Sequence, residues 1–193
     1  MSNPFTSVRP RPDETAASLP GDELVPDADV IMDRGFWLEA PLEEVWPWLV
    51  QLGKQRAGWY LPRSVERFVP PPRRAFRHLD PRCSGLAVGD VVPDYGGARA
   101  SFEVAELTAP CTLVYASRRG RTEVSWAIVA SGPEPDATGD RTRVHLRLRL
   151  GPVRHRRLAV VVGGGFDALT VAGLAAGLRE RLSEAPGPPG DGS

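Results

Sequence analysis

The stretch from Thr142 to Gly151 constrains this chain more than any other. Val144, Leu146, Leu148 and Leu150 alternate there with Arg143, His145, Arg147 and Arg149. Successive side chains of a strand point to opposite faces, so this segment is a strand with one apolar and one charged face. Such two-faced strands belong to antiparallel sheets packed on one side only. On this reading the arginine face is wet. The rest of the chain must then supply partner strands and a cover for the leucines.

The partners are legible as further runs. Val30, Met32, Phe36 and Leu38 share one parity between Val30 and Glu39, broken by Arg34. Val91 to Tyr95 reads as a strand ending in a Gly96-Gly97 turn. Ala100 to Leu107, Cys111 to Ser117 and Glu123 to Ala130 follow, with a hairpin turn at Gly120-Arg121. Between the first two strands, Glu43 and Glu44 open a helix in which Val45, Leu49 and Leu52 recur at helical spacing, with a kink expected at Pro47. A shorter helix from Ser64 ends at Pro70 to Pro72. A long terminal helix starts near Gly165-Phe166-Asp167 and runs to about Glu184. The order of elements is that of an α+β domain with helices on one face of an antiparallel sheet. Residues 28–184 form this domain. Residues 1–27, acidic and poor in aromatics, are expected to be a flexible tail, and the Pro/Gly-rich residues 185–193 a disordered one. Between Pro133 and Asp140 a loop is expected.

Several function classes recede. The 24 basic and 24 acidic residues cancel, so no net field draws the chain to nucleic acid. Arg143, Arg147, Arg149, Arg154, Arg156 and Arg157 make a basic stripe, but no aromatic residues interleave with it. Nucleic-acid binding is therefore not expected. Leu158 to Leu178 spans 21 residues with Asp167 as its only charge, long enough for a bilayer. Gly163, Gly164, Gly165 and Asp167 interrupt it, so stable insertion is not expected. The start of the chain carries no apolar leader, and Cys83 and Cys111 read as free thiols in a cytoplasmic protein. No phosphate loop, dinucleotide fingerprint, nucleophile elbow or metal-ligand spacing is present, and no cofactor or metal is expected.

The segment Asp22 to Gly53, with its Ala-Pro-Leu-Glu-Glu-Val-Trp-Pro-Trp-Leu-Val-Gln-Leu-Gly block, resembles bacterial members of the START-like superfamily. These are also called SRPBCC, polyketide cyclase/dehydrase-like or helix-grip proteins. Gly58-Trp59-Tyr60, Val88-Gly89-Asp90, Phe102-Glu103-Val104, Leu113-Val114-Tyr115 and Trp126 extend the resemblance over about 28–184. It implies a sheet of about seven antiparallel strands curved around the terminal helix. Two short helices after the first strand close one end, and a cavity lies between sheet and helix. Members bind lipids, sterols, polyketides or hormones, assist chaperones, or close aromatic rings. This chain departs from them in a terminal helix rich in Gly and Ala, which either enlarges the cavity or lets the sheet collapse onto it.

Within that frame Trp59, Tyr60, Asp94, Tyr95, Tyr115 and Trp126 are the candidate ligand-binding residues. Aromatic faces with a few polar tips are what an apolar pocket needs to orient a guest. Trp59 and Tyr60 are adjacent, so an extended backbone points them apart. Asp94 and Tyr95 are the candidate acids if there is catalysis. His145, on the arginine face, points away from any cavity. The expected function is binding, carriage or sensing of a small apolar or aromatic molecule, because no convergent catalytic set is visible. A cyclase or dehydratase using the same cavity is the alternative, and a protein-interaction or chaperone-assisting module the third. The oligomeric state, monomer or homodimer, is left open.

Overall fold

A computed structural model describes residues 7–95, 100–133 and 140–184. The expected Gly96-Gly97 turn, the body of the loop after Pro133 and the tail 185–193 lie outside the described residues. The elements are α1 (Pro12–Ala16), β1 (Val30–Leu38), α2 (Leu42–Gln51), α3 (Arg63–Glu66), β2 (Val91–Pro93), β3 (Ser101–Thr108), β4 (Thr112–Arg119), β5 (Thr122–Ser131), β6 (Thr142–Gly151), α4 (Arg156–Leu158) and α5 (Gly164–Glu184). A π-helical turn, Ala159–Gly163, joins α4 to α5.

The fold is α+β, with one six-stranded antiparallel sheet ordered β1-β6-β5-β4-β3-β2 and curved beneath the long helix. About seven strands were expected. The region before β2, where another strand would lie, contains Pro70, Pro71, Pro72 and Pro81 and coils through two 3₁₀ turns, Pro71–Arg73 and Pro81–Cys83. Proline has no N–H to give to a ladder.

β6 lies between β1 and β5, with Phe36 opposite Val144 and Ile128 opposite Leu146. Those four side chains, with Leu38 and Leu113, form the inner layer under Val171, Leu174, Ala175 and Leu178 of α5. Val45 and Leu49 of α2 close one end. The small residues of α5 have a definite use. A Cβ at Gly177 would lie 2.6 Å from the Leu61 backbone nitrogen, and one at Gly173 would lie 2.8 Å from the Leu61 side chain. The glycines let the Tyr60-Leu61 backbone run against the helix, while the sheet is met by larger side chains. Arg181 is fully buried near this contact. It donates to the carbonyls of Phe76 (2.7 Å), Leu61 (3.0 Å) and Gly177 (2.9 Å) and to Glu66 (2.5 Å).

The arginine face of β6 corrects the expectation. Arg143, His145 and Arg147 are buried, not wet, because residues 7–29 lie across them. Nor does the structure show a separate flexible tail there. Val8 and Val25 are buried, and α1 sits over the middle of β6. Arg147 uses all its guanidinium donors: Nε to Asp33 (2.8 Å), one terminal nitrogen to Asp22 (2.9 Å) and the Ala17 carbonyl (2.7 Å), the other to the carbonyls of Glu14 (2.8 Å) and Thr15 (3.3 Å). Those carbonyls belong to the C-terminal end of α1, where a cation is favoured. Glu14 accepts from Arg143 at 2.6 and 2.7 Å, and Asp33 meets His145 Nε2 at 2.8 Å. The acidity that marked this segment as a tail is what binds it down.

The stretch Arg156–Glu184 is long and apolar enough to cross a membrane by length and composition. Its second half, however, is core: Leu174, Ala175, Leu178 and Arg181 are buried against the sheet and the 60–76 region.

Two expectations follow from this packing. Gly177→Ala forces the backbone of Leu61 aside. After the gain of about 1 kcal/mol in helix propensity, a net loss of about 1–2 kcal/mol is expected, read as a Tm lowered by roughly 2–8 °C. Acid should free the N-terminal arm. Burial pushes Asp33 and Glu14 up, but hydrogen bonds and charge from His145 and Arg147 on the one, and from Arg143 on the other, hold both below the ordinary carboxylate range. Carboxylates lowered in the folded state stabilise above their unfolded value of about 4, and that stabilisation is lost as pH falls through the folded value. Hydrogen exchange, corrected for intrinsic rate, should show residues 12–17 losing protection below about pH 4 before β5 does. Flat protection of the arm into that range would refute the linkage.

Candidate ligand cavity

The register of the sheet places the site. Tyr115 of β4 is opposite Trp126 of β5, Trp126 opposite Leu148 of β6, and Leu148 opposite Met32 of β1. These side chains share the inner face and form one row across the sheet. Tyr115 and Trp126 stack with centroids 5.7 Å apart and planes at 19°. Phe102 lies 5.9 Å from Tyr115 and 6.1 Å from Trp126. Trp59 completes the group, 6.0 Å from Trp126, and its indole N–H donates to the Thr170 carbonyl at 3.3 Å. That bond fixes the Trp59 ring between sheet and α5.

A cavity of about 740 Å³ opens along this aromatic wall. From the sheet it is lined by Phe102, Arg119, Thr122, Val124, Trp126, Leu148 and Leu150, and from α5 by Phe166, Asp167, Thr170 and Val171. Trp59, Asp94 and Tyr95 complete the rim. None of the α5 residues that line it is Gly or Ala, so the small residues of that helix do not create the space. A narrower pocket of about 40 Å³ continues inward past Trp59, Phe102 and Trp126 to Leu52, Val92 and Tyr115. It has room for about one small polar group.

The polar groups of this cavity are few and unequal. Asp94 is ion-paired with Arg119, accepts from the Tyr95 N–H at 2.6 Å, and offers its carbonyl to Lys54 at 2.9 Å. Arg119 lies 5.4 Å above the Phe102 ring. Deeper in, the Tyr115 hydroxyl is buried with no hydrogen-bond partner among the described residues. Burial pushes its phenol up to about 12, with Arg56 pulling slightly the other way. On the helix side, Asp167 Oδ2 lies 2.9 Å from Arg34 Nε but out of line for a hydrogen bond. Burial pushes the Asp167 carboxyl up, and the Arg34 charge offsets this only in part. Arg34 is held by the carbonyls of Gly164 and Asp33, each at 2.7 Å.

Of the residues singled out in the sequence, Trp59, Asp94, Tyr95, Tyr115 and Trp126 come together here. Tyr60 does not. Its ring is fully buried below Arg181, edge-on to Trp48, and its hydroxyl donates to the Trp48 carbonyl at 3.0 Å. His145 lies on the opposite face of the sheet. Phe102, Arg119 and Asp167 were missed. Asp167 left one signal, being the lone charge in an apolar run; its place beside the arginine that breaks the β1 parity shows only in the structure.

No protein-family model matches this chain, and no curated protein does. Solved structures resemble it in fold. The crystal structure of CalU16 from Micromonospora echinospora is 17% identical, with a TM-score of 0.43 over 80% of this chain and 81% of that one. Protein MLL2253 from Mesorhizobium loti is 17% identical, with a TM-score of 0.47 over 81% and 99%. DynU16, from the dynemicin biosynthetic locus, is 14% identical, with a TM-score of 0.46 over 80% of this chain and 47% of that one. Likenesses this distant assign neither family nor function.

The unpartnered phenol yields a sharp expectation. A buried hydroxyl without a partner costs about 1–3 kcal/mol. Tyr115→Phe should therefore raise the stability of the empty protein by about 1 kcal/mol, measured by urea unfolding. A clear loss would mean that the hydroxyl already has a partner.

Proposed function

We propose that this chain binds a small apolar or aromatic molecule, lipid-like or polyketide-like, and carries or senses it. The observation that supports this most is the cavity itself. Its volume of about 740 Å³ falls in the range of small-molecule sites. Its walls are flat aromatic rings and leucines, and the polar groups at its ends have unused bonding capacity. A planar guest stacked on Trp126 and Trp59 would find a donor in the Tyr115 hydroxyl and a polar rim in Asp94 and Arg119.

A cyclase or dehydratase working in the same space is the second reading. Asp167, more than Asp94 or Tyr95, favours it. A carboxyl raised by burial beside a substrate cavity suits a general acid, whereas the Asp94 carboxylate is already engaged by Arg119. The reading as a protein-assisting module is weaker, because the arm already occupies the outer face of β1 and β6.

Native mass spectrometry on protein purified from its own host tests the first reading. A retained compound of roughly drug size is expected, together with Trp quenching when aromatic polyketide analogues are titrated in. Thr170→Trp, which fills the cavity, should abolish both while leaving the fold intact by circular dichroism. Turnover of the analogues that is lost in Asp167→Asn, with binding retained, would move the assignment to the enzyme.

A further inference from the structure

We propose that the helical turns from Arg156 to Leu169 dock on an anionic lipid surface, lying in the headgroup region without crossing it. Leu158, Val160, Val161, Val162, Phe166 and Leu169 are all exposed, Val161 at 73% and Phe166 at 72%. Val160, Val161 and Val162 are consecutive in the π-helical turn, so they face in different directions around the helix axis. The apolar surface is thus a projecting knuckle, convex and greasy on several sides. A rigid protein partner covers one side of a helix, whereas a fluid interface surrounds such a projection.

Charge selects which surface. Arg154, Arg156 and Arg157 are exposed at the start of this helix, and among the described residues none has an ion-pair partner. Cations at a helix N-terminus oppose its dipole, so the stretch is poorly matched to water and well matched to phosphate headgroups. Length excludes a span by this part alone. Residues 158–169 cover about 18 Å at 1.5 Å per residue, against a hydrocarbon core of about 30 Å. From Val171 onward the helix belongs to the protein core. Phe166 also lines the cavity, so docking would bring its mouth to the level of the headgroups. That last consequence rests on the ligand-binding reading; the docking does not.

The test is co-sedimentation of the full chain with vesicles of phosphatidylcholine alone and of phosphatidylcholine with phosphatidylglycerol. Binding is expected only with the anionic lipid, weakening as salt is raised. Val161→Asp/Val162→Asp and Arg156→Glu/Arg157→Glu should each reduce it at least tenfold. All four positions are exposed, so unchanged thermal unfolding confirms that the variants fold. No binding at low salt, equal binding to both vesicles, or binding indifferent to these variants overturns the proposal. So does a concentration-dependent dimer, abolished by the valine variant, in a protein that ignores vesicles; the occupant is then a second copy. Guest retention, measured without vesicles, should be unaltered in both variants. Its failure in the wild type alongside intact vesicle binding would count against the cavity reading alone.

Discussion

Everything in this fold depends on meeting the buried guanidinium groups of β6. A strand in the middle of a sheet has its edges occupied by neighbours, so its two faces are its only freedom. Here the inner face carries leucines and the outer face carries arginines. Taking an arginine out of water costs several kcal/mol unless its donors are all satisfied. Arg147 solves this with Asp33 from the adjacent strand and with an arm that arrives from more than a hundred residues earlier in the chain. The arm also brings Val8 and Val25, so apolar burial and charge pairing act together at its two ends.

A second arginine does the same for the helix. Arg181 ties α5 to the backbone at Leu61 and Phe76 and to Glu66. Arg77 extends this network from Glu66 (2.8 Å) to Glu180 (3.2 Å) and Glu184 (2.9 Å). The C-terminal half of α5 is therefore fixed. In the N-terminal half Ala168 and Val171 are buried, and Arg34 and Asp167 add a polar pair in poor hydrogen-bond alignment. The cavity opens beside this pair, with Asp167 and the buried Val171 both on its helix wall.

The sequence made local matters legible and left long-range ones hidden. The runs Cys111 to Ser117 and Glu123 to Ala130 are β4 and β5, and Gly120, with φ +65°, turns the hairpin between them as its position suggested. The seventh strand was inherited from a resemblance and contradicted by prolines already visible in the chain. The buried arm was misread because composition treats acidic residues as solvated, while their partners were arginines far away in sequence. Tyr60 illustrates the same limit. Its adjacency to Trp59 required the two rings to diverge, but nothing local said which would face the cavity. Gly177 decides it, by letting the Tyr60-Leu61 backbone close on the helix and so burying the Tyr60 ring beneath Arg181.

Two buried oxygens without a hydrogen-bond partner among the described residues lie along the aromatic wall. Several buried polar side chains away from the cavity are bonded: Thr142 to the Ala40 carbonyl, Ser125 to the Gly21 carbonyl, Gln51 to the backbone of Asp80 and His78. The Tyr115 hydroxyl and an Asp167 oxygen, both at the cavity, are not. The exposed apolar knuckle, whose arginines have no ion-pair partner among the described residues, adjoins the same opening through Phe166. An unpaired phenol and an unpaired carboxylate oxygen beside one aromatic-walled space are the groups to which a guest of the proposed kind would bond.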